Sequence, residues 1–304
     1  MKRLRERARV CAEVRRFFDA RGFLEVQTPV MVPSPGLDVH LDAFEIAGGD
    51  RGAPRWLSTS PEYQMKRLLA EGLTRIYQIA PCFRRGERGT RHNPEFTMVE
   101  WYRAGAGVDD VMSDTEQLVA GATGGAVHLD GRRIELKPPF TRIGVCEAFE
   151  RFAGWSRDET LAAAEGDEDR YFRALVDRVE PALATADGGV FLVDFPATQA
   201  SLARAHPGDA RLAERFELYV AGVELCNGFG ELVDPVEQRR RLERDQETRR
   251  ARGLPVYPID ERFVASLGRV PPSGGNALGL ERLVALACGT TEIADVLAFT
   301  ADEV

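Results

Sequence analysis

The chain has 304 residues, 44% hydrophobic and 29% charged, which is the length of one large domain, or one with an insertion, and the composition of a soluble fold. A formal net charge of -8 argues against a broad nucleic-acid footprint, so any polyanion site must be local. Cys11, Cys82, Cys146, Cys226 and Cys288 are scattered, odd in number and free of CxxC spacing, which points to reduced thiols in a cytoplasm and no zinc site. No apolar run approaches a membrane span, and MKRLRERARV lacks a signal peptide's apolar segment.

Leu4, Ala8, Cys11, Val14 and Phe18 recur at helical spacing, and Gly22 closes the predicted helix. Residues 23–29 read as a strand stopped by Pro29, residues 32–40 as a Pro/Gly loop, and residues 41–46 as a second short strand. A helix over 64–71 follows, which Thr59 or Ser60 can cap, with Pro61 at its first position. Glu62 fits a first-turn acid or an acceptor for a substrate amine equally well.

Residues 75–102, RIYQIAPCFRRGERGTRHNPEFTMVEWY, form the most informative stretch. Residues 76–83 and 96–102 predict a long-looped antiparallel hairpin. Its second strand points Thr97, Val99 and Trp101 one way and Phe96, Met98, Glu100 and Tyr102 the other. The loop carries Arg84, Arg85, Arg88, Arg91 and His92 around one acid, Glu87, with Gly86 and Gly89. A solvated basic loop has this composition too. Guanidinium forks also suit phosphate oxygens, and the flanking Glu, Asn93 and Phe96 can bond to and stack on a purine. HNPEF, running straight into an apolar strand, favours a nucleotide cradle built on a sheet.

Residues 108–120 predict an amphipathic helix, and 127–129 with 134–136 a hairpin about Asp130-Gly131, with His128 a strand residue rather than a ligand. Residues 152–186 read as a solvated helical insertion, acidic at 165–169, without chemistry. Strands are expected at 190–195 and in a hairpin of 216–220 and 223–227. Glu224 and Glu231 bracket Asn227; they are a magnesium pair beside a triphosphate, or one strand-end acid and one turn acid. Residues 238–252 read as a charged helix with solvated arginines. GGNALGLERL at 274–283 leads into an apolar helix, placing Arg282 at a helix start that already favours anions.

Three of these segments, in order, resemble the motifs of class II aminoacyl-tRNA synthetase catalytic domains of the lysyl type: residues 22–29, 83–102, and Ala277 to Arg282. TSPEYQMKRLL, HNPEFTMVEWYR, FPATQASLAR and ELCNGFGEL resemble more closely the elongation factor P–(R)-β-lysine ligase family, synthetase paralogues. The resemblance implies an α+β fold, an antiparallel sheet flanked by helices in a single catalytic domain over 1–304, homodimeric through the first motif. With the first motif about two dozen residues in, an anticodon-binding barrel is not expected, nor tRNA as acceptor. The implied reaction activates lysine or β-lysine with ATP and magnesium, then transfers it to elongation factor P.

By the same resemblance Arg84 holds the α-phosphate and Arg282 the γ-phosphate, Phe96 stacks on adenine, and Glu224 binds magnesium and ATP. Arg85, Gly86, Glu87, His92, Asn93, Leu225 and Gly279 complete the ATP site. Ser60, Pro61, Glu62, Tyr102, Glu231 and Ala277 contact the amino acid, with Glu231 also a metal ligand. The chain departs from lysyl synthetases in reading Arg84-Arg85-Gly86-Glu87 where Arg-Asn-Glu-Gly is usual, and in carrying Glu281 for Asp and Ala277 for Gly. A minimal lysyl-tRNA synthetase and a non-catalytic synthetase-like sensor are the alternatives.

Overall fold

The computed structural model describes all 304 residues, Met1–Val304. Helix α1 (Lys2–Asp19) leads into the short strands β1 (Leu24–Glu25), β2 (Met31–Val32) and β3 (Trp56–Leu57), then α2 (Glu62–Ala70). The long hairpin β4 (Arg75–Phe83) and β5 (Glu95–Ala104) is followed by α3 (Val108–Thr123), the small hairpin β6 (Ala126–Leu129) and β7 (Arg132–Glu135), and β8 (Thr141–Gly144). Next come α4 (Val145–Ala153), α5 (Arg157–Gly166), α6 (Glu168–Ala174), α7 (Glu180–Leu183) and β9 (Gly189–Pro196). The chain closes through β10 (Ala205–His206), β11 (Asp209–Val220), β12 (Val223–Gly230), α8 (Pro235–Ala251), α9 (Glu261–Leu267), β13 (Ser273–Gly279) and α10 (Leu280–Ala287).

The main sheet runs β1-β4-β5-β13-β12-β11-β9-β8, with β10 paired to β11. Its interior is antiparallel as expected, but the outermost pairs, β1 with β4 and β8 with β9, are parallel. The α+β class holds, and the sheet is mixed. No helix is long and apolar enough to cross a membrane.

Alternation along β4 and β5 decides what the two faces do. Tyr77, Val99 and Trp101 point back into the largest core cluster with α1, α3 and α10, where Phe18 stacks on Tyr77 at 4.6 Å. Burying each such aromatic contributes roughly 2–3 kcal/mol, enough to fix the register against slippage. The front face is left for function. It is flanked by α2, α8 and α9 through Tyr63, Leu242 and Phe263, and by the α4–α7 segment packed on β9.

Three expectations need correction. Residues 23–29 form a ladder only over Leu24–Glu25, and beyond that Val26 N–H donates to the Tyr77 carbonyl and Thr28 N–H to the Gln78 side chain. Residues 41–46 are not a strand, and only Glu45 bridges Trp56. The arginines of α8 are not all solvated. Arg249 is fully buried and donates to the carbonyls of Asp38, Leu41 and Pro255 and to Asp42 at 2.5 Å, while Arg241 caps the carbonyls of Ala200 and Ala203. One guanidinium fork thus organises the loop that alternation alone suggests is a strand.

Candidate active site

A cavity of about 950 Å³ opens on the front face. One row of residues crosses the sheet beneath it: Gln78, Glu100, Ala277, Asn227 and Glu217 stand opposite one another on five neighbouring strands. Phe96 and Met98 line the cavity, while Glu100 and Tyr102, on the same side of β5, are buried under one end of it.

That end is acidic. Ser60 sits just ahead of α2, where its hydroxyl accepts the Glu62 N–H at 3.1 Å and donates to Glu100 Oε2 at 2.8 Å. It is Glu62, not Gln64, that opens the helix, so Pro61 precedes the first turn and lies outside the cavity lining. Tyr102 donates to Glu100 Oε1 at 2.5 Å. Lys66, one turn after Glu62, is fully buried and reaches Glu62 at 2.6 Å and Glu231 at 2.5 Å. The Glu231 contact is an ion contact off the hydrogen-bond direction, and its other oxygen has no partner. Gly275 makes room for this arrangement, since a Cβ there would overlap the Tyr102 ring and the Glu231 carboxylate. Burial, then the charge of Glu62, pushes the Glu100 carboxyl up to about 8. Burial likewise raises Glu231 to about 7, against the pull of Lys66. Burial opposes the Lys66 charge, but Glu231 and Glu62 together hold its ammonium above the ordinary range.

The other end is basic. Arg84, just past β4, lies 5.0 Å above the Phe96 ring, with Glu87 at 3.5 Å and the Thr59 carbonyl at 3.4 Å. Arg282, in the first turn of α10, donates to the Glu224 carbonyl at 2.8 Å and lies 3.3 Å from its carboxylate. Its other nitrogen is 2.9 Å from His92 Nε2. Burial and then the Arg282 charge push His92 below its usual value, so the ring is neutral and Nε2 accepts. Both guanidiniums face the cavity; the contacts of Arg84 are long, and those of Arg282 are to a carbonyl, a neutral ring and a carboxylate at 3.3 Å.

Most of the expected site residues converge. Ser60, Glu62, Arg84, Glu87, His92, Asn93, Phe96, Glu224, Leu225, Ala277, Gly279 and Arg282 all line the cavity. Tyr102 and Glu231 support it from below. Arg85 and Gly86 lie outside it: Arg85 is turned to Asp42 at 3.3 Å, and Gly86 is a turn glycine at φ 87°. Asn93 is tied by its side chain to the Glu95 carbonyl at 2.6 Å and the Ala301 N–H at 3.0 Å, so it anchors the C-terminal segment.

The Glu224–Glu231 metal pair does not form, because seven positions along an extended strand separate them by roughly 20 Å. Glu231 is engaged by Lys66, whereas Glu224 keeps 39% of its side chain exposed and its only ion pair is the 3.3 Å contact with Arg282. Glu217 stands near Glu224, and their mutual repulsion adds to the burial that raises Glu217. A carboxylate with open oxygens and a second acid behind it fits magnesium, which takes one or two carboxylates and completes its shell with phosphate and water.

The expected solvated insertion also reaches the site. Glu168 accepts from Arg252 at 2.7 Å, Gln199 at 3.2 Å and His40 at 3.3 Å at the cavity mouth. Sequence reasoning misses Glu100 and Lys66 as site residues. The signals that mark them are an acid on the cavity-facing parity of an apolar strand and a lysine four residues after Glu62.

The chain belongs to the class II tRNA synthetases: the family model for tRNA synthetases class II (D, K and N) matches residues 1–303. Within that class it is similar to the elongation factor P--(R)-beta-lysine ligase of Klebsiella pneumoniae subsp. pneumoniae, 42% identical over 313 residues that cover 98% of this chain and 95% of the relative. It is similar to the ligases of the same name from Proteus mirabilis, 42% identical over 309 residues (97% and 94% covered), and Haemophilus influenzae, 39% over 321 (99% and 96%).

Proposed function

We propose that the protein activates lysine or (R)-β-lysine with ATP and transfers it to a lysine side chain of elongation factor P. The observation that carries this is the division of one cavity floor into a buried acid end and an arginine end. Ammonium groups of a diamino acid fit Glu62, Glu100 and Glu231, which leaves the substrate carboxylate directed along the Ala277 row toward Arg84 and Arg282. A carboxylate oxygen attacks the α-phosphorus, the bond to the pyrophosphate oxygen breaks, and an aminoacyl-adenylate and pyrophosphate result. Arg84 and Arg282 stabilise the charge developing on the phosphates, and Phe96 offers a face to the adenine. Magnesium would be held by Glu224, with Glu217 nearby, and would neutralise phosphate charge. The neutral acceptor amine then attacks the carbonyl carbon, AMP leaves, and the new amide loses a proton to water. No side chain need become a covalent nucleophile. Two copies would pair through the first motif, where Leu24 is 52% exposed at the sheet edge, with Met31, 48% exposed, just beyond it, in a cytoplasmic homodimer.

The test is lysine-dependent ATP–pyrophosphate exchange with the purified protein alone, followed by transfer assays offering elongation factor P and tRNA separately. Exchange without tRNA, and label appearing on elongation factor P, is the expected result. No exchange with any lysine isomer sinks the ligase reading, and label on tRNA alone turns it into a minimal lysyl-tRNA synthetase.

A further inference from the structure

The acid end has a charge count of its own. Glu62, Glu100 and Glu231 meet there, and Lys66 is the one cation in contact with them; Arg204 acts on Glu231 only from a distance and is itself paired with Glu214. Fully ionised, three carboxylates against one ammonium leave two negative charges in a place where Glu100 and Glu231 are each 1% exposed. Such a surplus is costly unless it is protonated or matched. Lys66 has no route to solvent at 0% exposure and is held by two carboxylates, so it is part of the floor rather than a mobile arm. One oxygen of Glu231 is buried without any partner, which marks a position still waiting for a donor.

We propose that Lys66 is a fixed counter-cation that sets the acid end to receive two substrate ammonium groups, and that filling it drives a proton off Glu100. The inference rests on the diamino-acid reading above and deepens it. Lys66 neutralises one of the three acids permanently. The remaining two charges equal those of the two ammonium groups on lysine or β-lysine, so a monoamine leaves one acid unmatched. In the empty site Glu100 carries a proton at neutral pH, since burial and Glu62 raise it to about 8. The groups facing it are few. They are Ser60, Glu62 and Lys66 from α2 and its approach, Tyr102 on its own strand, the neutral thiol of Cys82 on β4, and Glu231 past β12. Its neighbours in register, Gln78 and Ala277, carry no charge. An arriving ammonium therefore becomes the strongest new electrostatic influence on Glu100, and the displaced proton passes to solvent. Lys66 acts through Glu62 and Glu231 and is a positioning residue.

Titration calorimetry of the wild-type protein with lysine and β-lysine, at pH 7 in buffers of different ionisation enthalpy, counts the protons. About one proton or slightly more per amino acid bound is expected by linkage, most of it from Glu100 and the rest from Glu231, which is raised to about 7. Norleucine, with one ammonium, should release far less, and Glu100→Gln should remove most of the release with lysine. Lys66→Met should release more than the wild type, because Glu231 then loses the cation that holds its pKa down and starts protonated as well. It should also raise KM for the amino acid at least about tenfold, the scale of one lost charge-assisted contact, with KM for ATP unchanged. Lysine binding without proton release, equal release with norleucine, or a Lys66→Met variant with wild-type KM and proton count would each overturn the proposal. Should Lys66→Met fail to fold, the wild-type and Glu100→Gln counts decide it alone. A wild-type protein that exchanges pyrophosphate with lysine but releases no proton defeats this inference and leaves the ligase reading standing. Absence of exchange with every diamino acid defeats both.

Discussion

The acid end and the arginine end of the cavity hold charge in opposite ways. Glu100, Glu231 and Lys66 are 1%, 1% and 0% exposed and belong to strands, a strand end and a helix. Arg84 and Arg282 keep 23% and 20% of their side chains exposed, one at a loop and one at a helix start. A charge taken out of water needs its partner in place when the protein folds, so Lys66 comes with the acid end. Part-exposed arginines can wait, and here they lean on Glu87, the Phe96 ring, Glu224 and His92 until a phosphate offers more. The contrast makes the acid end fixed by folding and the arginine end adaptable.

The comparison predicts that the two ends fail differently. Arg84→Ala and Arg282→Ala should each lower pyrophosphate exchange by about 10²–10³-fold, the loss typical of one transition-state donor. Neither should shift Tm appreciably, because neither guanidinium supports the core. Exchange rates and thermal melts on the same preparations check both halves. Wild-type exchange in either variant would remove that arginine from phosphate binding.

Disturbing the acid end should show in stability, with a definite sign. Glu100 is raised from an ordinary carboxylate value of 4.5 to about 8 in the fold. The unfolded chain therefore loses this proton earlier than the native protein as pH rises. Stability from this group is complete below about 4.5 and is lost progressively as pH climbs through 8. Melts of ligand-free protein between pH 5 and pH 9 should show Tm falling, and Glu100→Gln should flatten that slope. A wild-type Tm that rises across this window would place Glu100 among ionised, paired acids instead.

Much of this asymmetry is legible in the amino-acid sequence, and the illegible part has a physical cause. The hairpin of β4 and β5 declares itself because Phe96, Met98, Glu100 and Tyr102 alternate with back-facing Val99 and Trp101. Arg84 and Arg282 stand out as arginines in places that need none. Lys66 does not, because its second acid, Glu231, lies far along the chain and meets it only after β12 and β13 join β5. Residues 41–46 mislead for the same reason, since the fork that organises that loop is Arg249 of a distant helix. Local periodicity reports local partners. Buried ion contacts between remote elements leave almost no periodic trace.

Gly275 offers a milder way to break the acid end without removing a charge. It takes no left-handed conformation; it is glycine because Tyr102 and Glu231 close over it. Gly275→Ala should cost about 1–3 kcal/mol of stability through overpacking. It should also raise KM for the amino acid while sparing KM for ATP. Equal changes in both constants would mean that the distortion spreads along the floor to the arginine end.

The smallest expected effect lies where the two ends meet. Ala277 lines the cavity, stands opposite Glu100 on one side and Asn227 on the other, and packs beside Met98 and Ala80. In the reading proposed above, its methyl lies on the part of the floor that the carbon skeleton of a diamino acid would cross between the acids and the arginines. Tightly packed sites absorb an added methyl poorly, so Ala277 should disfavour an α-amino group at the usual depth and tolerate an amine one carbon further out. Ala277→Gly should then improve use of α-lysine relative to β-lysine by about tenfold, the lower end of what one methyl-sized difference is worth in a fitted pocket. KM for ATP should not move, because no guanidinium or phosphate-facing group is touched. The measurement is kcat/KM for both isomers in both proteins. An unchanged ratio would free Ala277 of any part in discrimination and return that role to Ser60 and Tyr102, whose hydroxyls both engage Glu100.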